Sequence, residues 1–256
     1  MDIKIIVATH KKALMPTDGC YLPLHVGREG KPDLGYTCDN TGDNISARNP
    51  SFCELTGVYW AWKNLKADYV GLVHYRRYLS CRRKPWKFEE IMSTQDFEAK
   101  LQKADVIMPP KRYYVIETIR SHYCHTHDIM HLEVTREVMK GLTPEYIEAF
   151  DNIMDRRSCH MFNMFVMKRE LFDAYCAWLF PLLFAIDERV DSSAMSPFDT
   201  RWVGRVAEML LDVWLLHNNV KYVEVGMTQL GDVHYFQKVR AFLAAKFLGI
   251  KYDRSR

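Results

Sequence analysis

The chain has 256 residues, of which 48% are hydrophobic and 26% are charged, and its formal net charge is +3. This composition is typical of a soluble globular protein, and the charge is too small to indicate a nucleic-acid partner. No apolar run reaches the roughly 18 residues of a membrane-spanning helix, and the N-terminus lacks the layout of a signal peptide. We therefore expect a cytoplasmic protein whose seven cysteines, none in CxxC spacing, are free thiols.

The first predicted element is a strand over residues 3–8, which are rich in β-branched side chains and end in Thr9 and His10. We interpret it as a central strand of an α/β sheet. Ligands of open α/β sheets bind beyond the carboxyl ends of the strands. Thr9 and His10 are therefore candidates for contact with the base and ribose of a nucleotide. The alternative is a strand that runs into an ordinary basic loop at Lys11 and Lys12.

Residues 13–50 are rich in glycine and proline, which predicts a long irregular segment. A loop of this length inside a compact domain is usually either functional or disordered. Asp43, Asn44 and Ser46 are its densest group of short polar side chains. Such residues form local turns, and they also bind sugar hydroxyls or phosphates.

A helix is predicted over residues 52–64. Ser51 and Glu54 have the S-x-x-E spacing of a capping box, which would give Glu54 a structural role. A catalytic role for this carboxylate is the alternative. The helix places Trp60 and Lys63 on one face, and a tryptophan in such a position is more typical of a core than of a ligand platform.

Residues 69–73 form a continuous apolar run, which is typical of a strand buried in a parallel sheet. The run ends in His74, Arg76 and Arg77, at the edge where a ligand binds. A guanidinium group keeps its charge and matches phosphate oxygens in shape, so two arginines there indicate a phosphate. The alternative is a basic strand end that pairs with surface acids.

A histidine-rich stretch follows between residues 122 and 131. Its histidines, together with a cysteine and an aspartate, are of the residue types that bind zinc, but their spacing matches no reliable zinc pattern. A zinc site, a substrate-facing surface and an ordinary exposed surface all remain open. The residues concerned are His122, Cys124, His125, His127, Asp128 and His131.

Residues 158–167 predict a second apolar strand, interrupted by His160 and Asn163. Polar groups in such a strand are costly unless they are hydrogen-bonded, so each needs a core partner or a ligand. A mostly apolar helix is predicted over residues 204–216. In it, Arg205 and Glu208 lie one turn apart. Either the two side chains form an ion pair, or Glu208 serves as a general base.

Residues 235–256 change character, since apolar side chains recur at helical spacing among mostly basic ones. This pattern is typical of a helix on an anionic membrane surface. A helix docked on its own domain or on a partner chain is the alternative. We therefore divide the chain into a main domain, 1–234, and a basic amphipathic tail, 235–256, which predicts peripheral contact with the inner face of the cell membrane.

Two strings, Tyr59-Trp60-Ala61-Trp62-Lys63-Asn64 and His74-Tyr75-Arg76-Arg77-Tyr78, are distinctive. With Asp43 to Ser46, Phe162 to Met167 and Gly204 to Leu216, they resemble a bacterial family of formerly unknown function. The family is found in capsule, exopolysaccharide and O-antigen gene clusters, and its characterised relatives are galactofuranosyl- or galactosyltransferases. The resemblance implies a single Rossmann-like α/β domain of the GT-A type, with a mixed, mainly parallel central sheet flanked by helices.

The resemblance also implies a UDP-sugar donor, a glycan or lipid-linked acceptor, and roles for the candidate residues. The metal-binding Asp-x-Asp of GT-A enzymes is missing, and the string that begins at His74 stands in its place. We hypothesise that Arg76 and Arg77 stabilise the departing diphosphate, and we expect neither a metal nor a cofactor. Glu208 is the preferred catalytic base and Glu54 the second choice. Thr9 and His10 are expected near the uridine; Asp43, Asn44 and Ser46 near the ribose or diphosphate; and Trp60, Lys63, His127, His160, Asn163 and Arg205 near the donor sugar or acceptor.

Two other functions remain open. One is a non-catalytic nucleotide- or glycan-binding protein, in which the missing Asp-x-Asp marks the loss of catalysis. The other is a zinc-dependent enzyme that uses the histidines between His122 and His131. The donor sugar, the acceptor and the linkage are not determined by the sequence.

Overall fold

A twisted sheet forms the centre of the structure, a computed structural model that describes residues 1–82 and 88–230. The described strands are β1 (Ile3–Thr9), β2 (Tyr21–His25), β3 (Thr37–Cys38), β4 (Tyr69–His74), β5 (Arg77–Ser80), β6 (Val106–Met108), β7 (Arg112–Tyr113), β8 (Ser158–Cys159), β9 (Phe165–Lys168), β10 (Val223–Glu224) and β11 (Gly226–Gln229). Strands β7 and β8 pair with each other in a separate antiparallel sheet, and the others belong to the central sheet. The helices are α1 (Asn49–Phe52), α2 (Leu55–Asn64), α3 (Thr94–Leu101), α4 (Ile119–Thr126), α5 (Met130–Leu142), α6 (Ile147–Asp155), α7 (Arg169–Asp187) and α8 (Trp202–His217).

The main path of the sheet runs β10-β6-β9-β4-β1-β2-β3. Strand β9 is antiparallel to both of its neighbours, β4 and β6, whereas the other neighbours on this path are parallel. Strand β5 turns back from β4 and pairs with β11. The described residues therefore confirm the expected mixed, mainly parallel sheet.

The central strands are buried on both faces, which explains why their sequences are continuously apolar. Successive side chains of a strand point to opposite faces. Ile6 and Leu72 accordingly pack into the larger core cluster, and Ile5 and Val73 into the smaller one. Position 71 requires glycine, because the Cβ atom of any other residue would stand 2.7 Å from Ile5 Cδ1.

The helix predicted over residues 52–64 is divided into two. Cys53 adopts φ 53° and ψ −130°, which ends α1 before α2 begins at Leu55. The capping-box interpretation is wrong, because Ser51 lies within α1 and no side chain caps the start of α2. The kink frees the carboxylate of Glu54 for another partner.

The predicted strand over residues 158–167 is also wrong in part. It consists of β8 and β9 with a turn between them, in which Phe162 and Asn163 both have positive φ, 74° and 53°. The side chain of Asn163 in this turn donates to Glu54 and to the Gly204 carbonyl instead of packing within a strand.

Helices α7 and α8 pack together and carry much of the larger core. Within the described ranges, no helix combines the length and the apolar character needed to cross a membrane. The predicted division at residue 234, and the basic tail 235–256, lie outside the described residues.

Candidate active site

The carboxyl ends of β1 and β4 lie side by side, since Ala8 pairs with His74. The Thr9 hydroxyl donates to the main-chain carbonyl of Lys11 and accepts from its N–H, so Thr9 closes the turn after β1. His10 is exposed, and its ring meets the Tyr75 ring edge-on at 5.4 Å. His10 thus lies at the predicted edge of the sheet, whereas the Thr9 hydroxyl is already bonded to the main chain of Lys11.

Two arginines follow β4 at this edge. The Arg76 guanidinium lies 5.1 Å from the Tyr75 ring centre, and the Arg77 guanidinium lies 4.3 Å from the Phe162 ring centre. Neither forms an ion pair with a described carboxylate, and the buried Nε of Arg77 has no hydrogen-bond partner. The alternative of a basic strand end paired with surface acids therefore finds no such acid in the ranges 1–82 and 88–230.

Arg201 is a third cation at the same edge, and no motif in the sequence predicted it. It ends the short 3-10 helix Asp199–Arg201, and its Nε donates to Cys53 Sγ at 3.3 Å. Its charge acts on both His10 and His74. Partial desolvation of the His10 ring, followed by the charges of Lys11 and Arg76, lowers the pKa of His10 and favours its neutral form at this electropositive edge. The only feature of the sequence that could have indicated a role for Arg201 is its position directly before the predicted helix that contains Glu208.

His74 is part of the scaffold of the site. Its Nε2 donates to the Phe162 carbonyl at 2.7 Å, a contact that assigns the proton to Nε2 because a carbonyl can only accept. Burial lowers the pKa of His74, and the charges of Arg77 and Arg201 act in the same direction. We conclude that His74 fixes the position of the turn after β8 as a neutral side chain.

Glu54 and Glu208 form a pair of carboxyl groups next to these cations. Glu54 lies between α1 and α2, and Glu208 lies in the second turn of α8. Burial, followed by the charge of Glu54, raises the pKa of Glu208 from 4.5 to about 7. A group with such a pKa changes protonation state near neutral pH, which suits a general base.

The expected ion pair between Arg205 and Glu208 is not present. The Arg205 guanidinium donates to the Phe198 carbonyl at 2.5 Å, lies 4.0 Å from the Phe198 ring centre and contacts His127 Nδ1 at 3.3 Å. Arg205 and His127 therefore lie together, on the side of α8 that faces Phe198. This leaves the Glu208 carboxyl without the arginine partner that a one-turn spacing predicts.

Asn163 joins the carboxylate pair to α8. Its side chain is buried, and its Nδ2 donates to Glu54 Oε1 at 2.8 Å and to the Gly204 carbonyl at 3.3 Å. The structure thus places Asn163 in the site, although as a partner of Glu54.

His160 has core partners instead of a ligand. Its Nδ1 bonds to the Asp212 carboxylate, its main-chain N–H donates to the same carboxylate at 3.0 Å, and its Nε2 lies 3.2 Å from Glu224 Oε1. Both ring nitrogens are occupied, so the predicted contact between His160 and a sugar finds no support.

The loop that contains Asp43, Asn44 and Ser46 is held by contacts of its own. The Asp43 carboxylate accepts from the Tyr59 hydroxyl at 3.1 Å, and Asn44 Oδ1 accepts from the Ser46 main-chain N–H at 3.2 Å. The Ser46 hydroxyl donates to the buried Asp39 at 2.5 Å. Asp43 lies against the end of α2, about 15 Å along that helix from Glu54. The structure therefore does not bring Asp43 together with the arginines.

Trp60 and Lys63 also lie away from the carboxylate pair. Trp60 is buried, and its Nε1 donates to Thr41 Oγ1 at 2.9 Å, while Lys63 Nζ lies 3.6 Å from the Trp62 ring centre. Both belong to the second half of α2. The core interpretation of Trp60 is correct, and neither residue contacts the site residues described above.

The histidine stretch is held by several separate contacts. The buried Glu117 accepts from His122 Nδ1 at 2.9 Å and from His125 Nδ1 at 2.6 Å, and His131 Nδ1 lies 3.0 Å from the Tyr123 hydroxyl. No group of three or more His, Cys, Asp or Glu side chains within the described ranges is arranged to hold a metal ion. The zinc alternative therefore has no ligand cluster in this part of the chain.

Two cavities open elsewhere on the described surface. The larger, of about 240 Å³, lies near Arg48, Ser51 and Asp187, and the smaller, of about 140 Å³, lies near Lys111 and Asp212. Neither is lined by Glu54, Glu208 or the arginines of the sheet edge.

Comparison with known proteins identifies the family. Residues 4–219 match a family described as a domain of unknown function (DUF4422). The chain belongs to this family. Among solved structures it is similar to the apo structure of WbbM, a bifunctional glycosyltransferase, with 28% sequence identity and a TM-score of 0.84. The match covers 91% of this chain and 46% of that chain, so this DUF4422 protein spans about half the length of WbbM. A comparison with curated proteins finds no match.

The likeness to WbbM confirms the expected GT-A-like fold. The family match confirms the resemblance at the level of a glycosyltransferase-like family. Specificity for galactofuranose or galactose is not part of either finding and is taken up below.

The raised pKa of Glu208 predicts how stability changes with pH. Because the pKa is higher in the folded chain than in an unfolded one, the folded state gains stability from this proton below pH 4.5 and loses it as the pH rises through about 7. Between pH 5 and pH 8 we expect this group to lower the free energy of unfolding by about 3 kcal/mol or less. The Glu208→Gln variant should lose less over the same interval, as measured by urea unfolding at both pH values.

The exposed Glu148 on α6 offers a matched control. Glu148→Gln should follow the pH dependence of the wild-type chain. An identical pH dependence in Glu208→Gln and the wild type would contradict the raised pKa.

Proposed function

We propose that this DUF4422 protein is a glycosyltransferase that transfers a hexosyl group from a UDP-sugar to a hydroxyl of a glycan or lipid-linked acceptor. The observation that carries the proposal is the set of guanidinium groups at the carboxyl edge of β1 and β4, which have no described carboxylate partner and lie beside a pair of carboxyl groups. These groups belong to Arg76, Arg77 and Arg201. The GT-A-like fold shared with a bifunctional glycosyltransferase supports it.

The arginines suit the leaving group of such a reaction. When a UDP-sugar reacts, negative charge develops on the diphosphate, and preorganised cations stabilise that charge in the transition state. A guanidinium group binds phosphate oxygens with two parallel hydrogen bonds and stays charged at every physiological pH. We propose that Arg76 and Arg77, with Arg201, supply this stabilisation without a divalent metal. We propose that His10, whose ring meets the Tyr75 ring edge-on, contacts the nucleoside.

The carboxyl pair suits the acceptor side of the reaction. We propose that ionised Glu208 takes the proton of the acceptor hydroxyl while the hydroxyl oxygen bonds to the anomeric carbon. The bond between that carbon and the diphosphate oxygen breaks, and UDP leaves with the electron pair. A single displacement of this kind inverts the configuration at the anomeric carbon. The products are the glycosylated acceptor, UDP and protonated Glu208.

The resemblance to capsule, exopolysaccharide and O-antigen enzymes suggests galactofuranose or galactose as the transferred sugar. It also suggests a polysaccharide or lipid-linked acceptor, reached through peripheral membrane contact of residues 235–256. That segment lies outside the described residues, so this part of the proposal depends on the sequence pattern alone.

A non-catalytic nucleotide- or glycan-binding protein is the second candidate. The missing Asp-x-Asp favours it, because that motif holds the metal in related enzymes. The pKa of about 7 at Glu208 favours an enzyme, because strongly shifted pKa values cluster at catalytic sites. Release of UDP from a UDP-sugar distinguishes the two.

The donor assay tests the proposed function. The full chain, incubated separately with UDP-galactofuranose, UDP-galactose and UDP-glucose, should release UDP from at least one of them, and EDTA should leave the rate intact. Arg76→Lys should lower the rate by about 100-fold, because a lysine cannot bind two phosphate oxygens in the same plane. The half-buried Arg120, which pairs with Asp151 and Asp155 away from the sheet edge, provides a control in Arg120→Lys. EDTA-sensitive turnover that Mn²⁺ restores would reject the role of the arginines.

The Glu208→Gln variant tests the proposed base. Since glutamine cannot accept the proton, we expect sugar transfer to fall by at least about 100-fold. UDP binding, measured by calorimetry, should stay close to the wild-type value because the arginines are intact. Normal turnover in this variant would exclude Glu208 as the base.

A further inference from the structure

The turn formed by Phe162 and Asn163 contacts four groups of the candidate site. The Phe162 carbonyl accepts from His74, and its main-chain N–H stabilises the charged form of Glu208. Its ring lies under the Arg77 guanidinium, and the next side chain, Asn163, binds Glu54. Two adjacent residues thus hold elements that are far apart in the sequence.

The backbone of this turn is unfavourable by itself. Positive φ is uncommon for any residue other than glycine, and a bulky side chain such as that of Phe162 makes it a clear outlier. Backbone conformations of this kind cost about 1–3 kcal/mol each and persist only where the surroundings enforce them. The contacts with the four site groups offset this conformational cost.

The orientation of the Asn163 amide follows from its partners. Both Glu54 Oε1 and the Gly204 carbonyl are acceptors, so the NH₂ group must face them. Glu54 Oε1 therefore accepts a hydrogen bond that fixes the position of its carboxyl group. The Asn163 Oδ1 atom is buried and has no partner among the described residues.

Charged and titratable groups surround Glu208 from several elements. Among the acidic groups, Glu54 has the strongest effect on Glu208, because its charge opposes the ionisation of Glu208. The cations act in the opposite direction. The groups are Glu54 before α2, Arg77 after β4, Arg112 in β7, Arg201 before α8, and the uncharged Tyr114, Tyr123 and Cys159.

We propose that Asn163 is a positioning residue, which anchors the Glu54 carboxyl group to the first turn of α8 and so holds it beside Glu208. This proposal depends on the proposed function and deepens it, because it assigns one role to each member of the carboxyl pair. Glu208 alone accepts the acceptor proton. Glu54 does not take that proton, and its charge opposes the ionisation of its neighbour.

Two variants separate the charge of Glu54 from its hydrogen bond. In Glu54→Gln the amide oxygen can still accept from Asn163, but the negative charge is lost, so the pKa of Glu208 should fall. In Asn163→Gly the left-handed backbone is retained, since glycine adopts it without strain. The hydrogen bond is lost, so the Glu54 carboxyl is no longer held beside Glu208, and the pKa of Glu208 should fall by less than in Glu54→Gln.

The direct test is an NMR titration of the full chain labelled with ¹³C at the glutamate carboxyl carbons. The signal that titrates near pH 7 should be absent in Glu208→Gln, which assigns it. In Glu54→Gln this titration should move down by about one pH unit or more. In Asn163→Gly the same titration should move in the same direction by a smaller amount. A Glu208 titration that stays in place in either variant overturns the proposal.

Kinetics with an active UDP-sugar add a second readout. Glu54→Gln should move the acid limb of kcat/KM to lower pH, and Asn163→Gly should lower kcat by about tenfold or more with a smaller change in the donor KM. Complete loss of activity in Glu54→Gln, with activity retained in Glu208→Gln, would make Glu54 the base and reject the inference. If the wild-type chain turns over no UDP-sugar, the proposed function fails, while the NMR titration still decides whether Glu54 controls the proton on Glu208.

Discussion

Positive charge without an ion-pair partner among the described carboxylates is the constraint on which the rest of the site depends. Arg76, Arg77 and Arg201 lie at the edge where β1 and β4 end, and none forms an ion pair with a described carboxylate. A protein gains little from such an arrangement by itself, because the cations repel one another. It becomes favourable when an anion binds there, and a diphosphate has the charge and the shape for it.

The carboxyl groups of Glu54 and Glu208 lie beside this positive charge. Glu208 is buried deeply enough to keep a proton near neutral pH, and Glu54 is anchored by Asn163. The kink at Cys53 and the turn at Phe162 are the local distortions that bring these two side chains to the same place. Strain of this kind is typical of functional sites, where the geometry of a few groups matters more than the stability of the backbone.

The sequence was sufficient for those parts of the structure that follow from local patterns. The apolar runs of β1 and β4 predicted adjacent central strands, and the polar residues at their ends predicted where His10, Arg76 and Arg77 would lie. Glu208 was predicted because a carboxylate in a mostly apolar helix is unusual. The distinctive strings around Trp60 and His74 were enough by themselves to indicate the family.

Other parts of the site depend on contacts that no local pattern records. Arg201 lies in a loop without strand or helix periodicity, and it joins the edge only because α8 packs beside α1. The turn at Asn163 interrupts an apparently continuous apolar strand, and only tertiary contacts with His74 and Glu54 explain it. The polar loop at Asp43 has the composition of a ligand site, yet its side chains are bound to each other and to the end of α2. Short polar side chains serve both purposes, so composition alone cannot distinguish them.

The account depends most directly on where a nucleoside diphosphate binds. The decisive measurement is a crystal structure of the full chain with UDP, prepared without divalent ions. We expect the diphosphate oxygens within about 3 Å of the Arg76 and Arg77 guanidinium nitrogens, at the carboxyl ends of β1 and β4. A diphosphate bound elsewhere, with both arginines turned toward acidic side chains, would contradict the account.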